Sequence, residues 1–230
     1  MGMKGTAFLA IWHDIEAGQH GEFIDWHTRE HMPERLSIPG FRTGKRLHDP
    51  HAERYVYGTV YAADTVEVFR SPAYLERLNN PTPWTAAVAP SFKNFLRVAC
   101  ERIAHAGTGD GGSMATIRFD LSDPDAAAQL TQKAQDLVTA ILHLDGVCAV
   151  HLGLARSEVS MVRTKETELR SQMNEQGFDA VLLIEGSAFA GLKASVPQAQ
   201  QLALATGCLA HATAALYETA FSLTSEDMGQ

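Results

Sequence analysis

Several things are scarce in this chain. It has three cysteines, Cys100, Cys148 and Cys208, and none belongs to a C-x-x-C pair. An odd, dispersed set of thiols argues against a disulfide framework and suits reduced core cysteines in a cytoplasmic protein. No apolar run approaches the roughly 20 residues that a membrane-crossing helix needs, so no membrane partner is expected. The apolar start at 7–12 is short, runs into His13 and Asp14 and lacks a cleavage pattern, so it does not read as a secretory signal. Basic charge is short as well. There are 19 Lys and Arg against 27 Asp and Glu, a net of −8, which speaks against a nucleic-acid partner. The glycine patterns of dinucleotide and P-loop sites are missing, and so is the G-x-S-x-G elbow of esterases. What is present is ordinary globular composition, 45% hydrophobic and 20% charged. At 230 residues it can bury one large core or two of about 110 residues.

The clearest punctuation is the stretch 106–113, which holds four glycines. It reads as a flexible linker between a first unit at 1–105 and a second at 114–230. The two halves repeat one order. In the first, an apolar run at 7–12 suits a strand, and Phe23, Trp26, His27 and Glu30 fall at helical spacing within 19–31. A Pro-Gly turn at 38–41 leads into a strand reaching 47. Residues 54–61 alternate with strand period, 65–78 reads as a helix restarted by Pro72, and 92–103 as a last strand. In the second half, strands are expected at 115–121, 147–154, 178–186 and 213–223, with helices up to 143 and over 190–205. Leu144-Asp145-Gly146-Val147 matches Ile38-Pro39-Gly40-Phe41. Each half is β-α-β-β-α-β, the ferredoxin-like unit. The expected fold class is therefore α+β, with two tandem ferredoxin-like units packed sheet to sheet as an intrachain barrel.

That order, with a helix ending in His-x-Pro and then a Pro-Gly turn, resembles the dimeric α+β barrel superfamily. The segment from Trp26-His27-Thr28-Arg29-Glu30-His31-Met32-Pro33 to Ile38-Pro39-Gly40-Phe41 is most similar to its EthD-like branch, as is Ser71-Pro72-Ala73-Tyr74. The resemblance covers the whole chain as architecture and only the first half as motif. It implies that a histidine at the position of His31 faces a pocket. Relatives include cofactor-free monooxygenases, polyketide cyclases, isomerases, haem enzymes and uncharacterised proteins, so fold alone leaves function open.

Composition says where to look. Residues 1–110 hold seven of the ten histidines and thirteen of the eighteen aromatics, with a net charge of −1. Residues 111–230 carry −7 and no tryptophan. The densest cluster is His27, Glu30, His31 and Glu34. His27 and His31 are four apart and share a helix face, and imidazole suits acid–base work near neutrality. The helix is expected to stop near His31, because Pro33 cannot continue it without losing a hydrogen bond. Strand alternation places His13 on the face shared by Leu9 and Ile11. His31, His27 and His13 are the candidate catalytic residues. Trp26, Tyr55, Tyr57 and Trp84 are the candidate ligand-binding residues. Arg42, Lys45 and Arg46 read as a solvated strand face.

The expected function is binding of a small apolar or aromatic carbonyl compound, with histidine acid–base chemistry of cyclase, isomerase, dehydratase or monooxygenase type and no cofactor. A non-catalytic binding protein with the same pocket is the alternative. A metal or haem enzyme ranks below both. His27-Thr28-Arg29-Glu30-His31 fits H-x-x-E-H, but the pattern is short and Pro33 stands where such a helix should continue, so no metal ligand is assigned. A chain that supplies both units is expected to work as a monomer or as a homodimer of it.

Overall fold

The computed structural model describes residues 2–160, 163–170 and 177–229. The chain is α+β, with eight strands among the described residues, and it forms two compact units. One comprises Lys4–Ala99, Arg156–Gly177 and Ala220–Gln230. The other comprises Met1–Met3, Cys100–Ala155 and Phe178–Thr219. The unit boundaries fall inside two long strands, at Cys100 and at Ala220, whereas the sequence suggested a cut in the glycine-rich stretch.

The first unit holds β1 (Ala7–Ile15), α1 (His20–Trp26), α2 (Met32–Leu36), β2 (Phe41–His48), β3 (Tyr57–Ala63), α3 (Pro72–Asn79), α4 (Pro83–Val88) and residues 92–99 of β4 (Phe92–Gly107). Its strands run in the order β4-β1-β3-β2, the ferredoxin-like arrangement. β1 and β3 are antiparallel from Ala7↔Ala63 to His13↔Tyr57, and β2 follows β3 to His48↔Tyr57. These strands are buried along almost their whole length because helices and connecting segments cover them. Leu9, Met32, Leu36, Phe41, Phe69 and Tyr74 belong to one apolar cluster of this unit. Phe23, Trp26, Tyr57, Phe92 and Phe95 belong to another.

The second unit holds β5 (Ser113–Leu121), α5 (Ala126–Leu142), β6 (Val147–Ala155), β7 (Ala180–Gly186), α8 (Phe189–Leu204) and residues 209–219 of β8 (Leu209–Thr224). Its order is β8-β5-β7-β6, again ferredoxin-like, with residues 100–107 of β4 paired to β6. α5 buries Leu130, Ala134, Leu137, Val138 and Ile141, spaced for one helix face against the sheet.

Three local expectations need correction. First, the helix does not stop at His31. A π turn (His27–His31) joins α1 to α2, closed by Met32 N–H donating to the His27 carbonyl. In α register the Pro33 ring would press on the Arg29 carbonyl, and the wider turn relieves this, so the chain stays helical to Leu36. Second, β3 begins at Tyr57. Tyr55 lies before it with φ +60°, outside the alternating stripe assigned to it. Third, Lys45 and Arg46 are buried, and only Arg42 of that trio is exposed, paired with Asp64 at 2.6 and 2.7 Å. The stretch between β6 and β7 carries two short helices, α6 (Ser157–Ser160) and α7 (Lys165–Glu168).

Gly5 has φ +82°, and a Cβ there would overlap the Ala63 carbonyl. Gly18 has φ +84° with open space around it. Gly18→Ala should cost about 1 kcal/mol, the left-handed penalty alone, and Gly5→Ala should cost more because backbone must also move. Urea denaturation midpoints of the two variants check the order. Equal losses would contradict the assigned packing at Gly5.

Candidate functional site

The first unit encloses a cavity with about 610 Å³ of atom-free space, its mouth included. Every residue lining it belongs to this unit. β1 contributes Leu9, Ile11 and His13, the face that strand alternation selects. β3 contributes Thr59 and Tyr61. The helical segment contributes Trp26, His27, His31 and Arg35, and α7 with its neighbour adds Glu166, Thr167 and Arg170.

The three candidate catalytic histidines are all here and all buried, at 1%, 3% and 7% exposure for His13, His27 and His31. The π turn brings the His27 and His31 rings to 5.6 Å between centroids. His31 lies 4.2 Å from the Trp26 ring, and Trp26 is fixed by its indole N–H donating to Thr85 Oγ1 at 3.2 Å. His27 Nδ1 stands 3.5 Å from an Arg46 N–H, which can only donate. Nδ1 is therefore the acceptor, and Nε2 carries the proton toward Tyr61 Oη at 3.4 Å. Arg46 is itself held by Thr28 Oγ1 at 2.8 Å. His13 packs against Phe92 at 4.6 Å and Tyr57 at 5.5 Å, with Nδ1 3.4 Å from the Asp14 carbonyl. His31 Nδ1 is buried and has no hydrogen-bond partner among the described residues.

A buried ion network forms one wall. Glu166 accepts from Arg35 through Oε2 and from Arg170 through Oε1, the latter at 2.6 Å, and its side chain is 3% exposed. Arg35 also binds Glu34 at 2.8 Å. The Arg170 guanidinium lies 4.5 Å from the Phe95 ring centre and 5.2 Å from that of Phe92. Burial works against the Glu166 charge, but Arg35 and Arg170 prevail and hold its carboxyl below the usual range. The same logic gives neutral imidazoles. Burial lowers the His13 pKa to about 3, and burial, then the Arg46 and Arg35 charges, push His27 and His31 well below the ordinary histidine value. Burial also raises the Tyr61 phenol, so it stays protonated.

The remaining candidates lie elsewhere or at the margin. Tyr57 does not line the cavity. It stacks between His13 and His48, at 5.5 and 4.9 Å, and meets His20 Nδ1 at 3.0 Å. Tyr55 lies under the Arg54 guanidinium, 5.0 Å away, and is not among the lining residues. Trp84 is half-buried and donates to Glu22 at 2.6 Å, also away from the lining. Glu30 accepts from Thr82 at 2.6 Å and Thr85 at 3.3 Å. No group of three metal-ligating side chains converges among the described residues. Arg35, Glu166 and Arg170 escaped the sequence reading. Glu166 and Arg170 stand four apart, a spacing that alone reads as a surface pair.

No family model matches the chain, and no curated protein does. Solved structures do match. An anthrone oxidase-like protein shares 10% identity over 96% of this chain and 94% of its own, with a TM-score of 0.66. A "putative monooxygenase" from Fusobacterium nucleatum shares 10% over 96% of both chains, with a TM-score of 0.60. A mutant chlorite dismutase from Candidatus Nitrospira defluvii shares 11% over 95% of this chain and 92% of its own, with a TM-score of 0.55. At such identities the likeness establishes the fold alone, a ferredoxin-like α+β arrangement. Among the described residues no helix is long and apolar enough to cross a membrane.

Buried neutral histidines tie stability to pH. Their folded pKa values lie below the ordinary 6.5, so below that pH the unfolded chain binds more protons and stability falls as pH drops. Glu166, with a lowered pKa, adds its own loss only further down, through the carboxylate range. Between about pH 6.5 and 5 the slope should approach 1.4 kcal/mol per pH unit for each imidazole, and His31→Gln should make it shallower. Urea denaturation across that range measures it. A flat profile would contradict neutral burial.

Proposed function

We propose that the cavity binds an apolar or aromatic carbonyl compound and that His31 moves a proton beside its carbonyl. The observation that carries this reading is the buried Nδ1 of His31, without a partner among the described residues, on a side chain that lines a cavity walled by aromatic rings and guanidiniums. A neutral imidazole has a lone pair to accept a proton. The guanidiniums that oppose imidazolium on their own favour an enolate next to it, so ligand and base form an ion pair together. The C–H bond breaks, its proton goes to His31, and its electron pair moves onto the carbonyl oxygen. His27, oriented by Arg46 and Tyr61, and His13 assist by shaping the pocket and its field, and Trp26 forms its wall. Enolate formation of this kind is common to cyclase, isomerase and dehydratase steps and to activation of a phenol-like compound for oxygen insertion.

In this reading the chain belongs with the EthD-like branch, on the segment 26–41. It is a cytoplasmic protein, monomeric or a homodimer, whose two halves, 1–105 and 114–230, repeat one β-α-β-β-α-β order. It needs no cofactor, and Tyr57 supports the pocket by stacking on His13.

Hydrogen–deuterium exchange of a ketone with acidic α-hydrogens, such as 2-tetralone, tests the reading by proton NMR in D2O. Wild-type protein should accelerate exchange, and His31→Gln should lose about a hundredfold or more of that acceleration while still binding the ketone. Binding with no acceleration by the wild type would make this a non-catalytic binding protein.

A further inference from the structure

The donors of the cavity wall are unevenly used. Three guanidiniums, Arg35, Arg97 and Arg170, line it against one carboxylate, Glu166. With Glu34, which pairs with Arg35, counted beside Glu166, that is a local excess of one positive charge in a chain whose net charge is −8. Arg35 is taken up by Glu34 and Glu166. Arg97 donates to the Ser160 carbonyl at 3.0 Å and to Tyr74 Oη at 3.3 Å. Arg170 spends Nη2 on Glu166, but its Nε is buried and has no partner among the described residues, on a side chain only 6% exposed. Phe92 and Phe95 engage this guanidinium through their rings, and among the described residues none supplies an acceptor for its Nε–H. A buried charged donor left unmatched is costly, and an acceptor that reaches it recovers that cost. The apolar neighbours lower the local dielectric and strengthen the attraction.

We propose that this cavity selects the ionised form of its ligand: an apolar or aromatic molecule with one acidic oxygen, held as an oxyanion by Arg170. The inference rests on the cavity being a small-molecule site, as in the reading above, and adds the charge state of what it takes. A neutral ketone enters only to be ionised, whereas a phenol or enol of suitable acidity is bound already ionised. The step is an acid dissociation: the O–H bond breaks, the electron pair stays on oxygen, and the proton leaves to His31 or to solvent. A metal cation is the wrong ligand here, since the guanidiniums repel it.

The probe is 4-nitrophenol, whose ionised form absorbs visible light and whose own pKa lies near neutrality. With excess protein, just below that pKa, the ratio of ionised to neutral probe should rise about tenfold, one pKa unit. Quenching of tryptophan fluorescence, to which Trp26 in the wall contributes, reports binding independently. Arg170→Gln should bring the ratio back to within about twofold of free probe while quenching persists. If that variant does not fold, Arg170→Lys keeps a cation opposite Glu166 and removes Nε, and it should retain only part of the wild-type shift. Quenching with an unchanged or lower ionised fraction in the wild type would overturn the proposal and leave the proton-transfer reading standing. A shift that survives intact in Arg170→Gln would overturn the role of Arg170. No quenching at all would count against both, because the cavity would then not admit a small aromatic molecule.

Discussion

The site depends on one buried carboxylate. Glu166 sits between Arg35 and Arg170, and its charge is what lets two guanidiniums stand inside an aromatic-walled cavity. Removing one member of such a group leaves an uncompensated buried charge, which typically costs 3–5 kcal/mol. Replacing the group with apolar residues is often neutral or stabilising, so stability gives no reason to keep it. The arrangement is better understood through what it adds to the cavity: guanidinium charge that reinforces the neutrality burial already gives His13, His27 and His31.

The helical segment from His20 to Leu36 converts a short stretch of sequence into that geometry. Pro33 favours a wider turn just before it, and the wider turn sets His27 and His31 side by side while keeping Arg35 on the cavity side. A helix that ended at His31 would have left Arg35 in a loop and Glu166 without its partner. The connection between β6 and β7 completes the wall, so the second half of the chain contributes charged residues to a unit built chiefly from the first.

Much of this was legible in the sequence. The repeated β-α-β-β-α-β order follows from period-2 and period-3.6 patterns bounded by Pro-Gly turns, and these survive any detail of packing. His13 follows from strand alternation, and the His27–His31 pair from spacing by four. What stayed hidden depends on contacts between residues far apart in the chain. Arg35 and Glu166 are 131 positions apart, and no local pattern marks a pair of that kind. Tyr55 was misplaced because a left-handed residue breaks the alternation it seems to continue. Trp84 was misplaced because an indole beside a proline reads alike on a cavity wall and on a surface helix. Arg46 was taken for solvent-facing because a charge on a strand usually is, yet here Thr28 and the Ile24 carbonyl receive it.

The claim on which the account turns is that the histidines of this cavity are neutral and that His31 keeps a free nitrogen. Nitrogen-15 NMR of the imidazole rings at about pH 6 measures both directly, with His13, His27 and His31 assigned by single substitution. The account predicts three neutral rings, with Nδ1 and Nε2 of each clearly distinct, and a change confined chiefly to His31 when a small phenol is added. Three rings titrating together near the ordinary histidine value would contradict it, and with it the electrostatic design of the site.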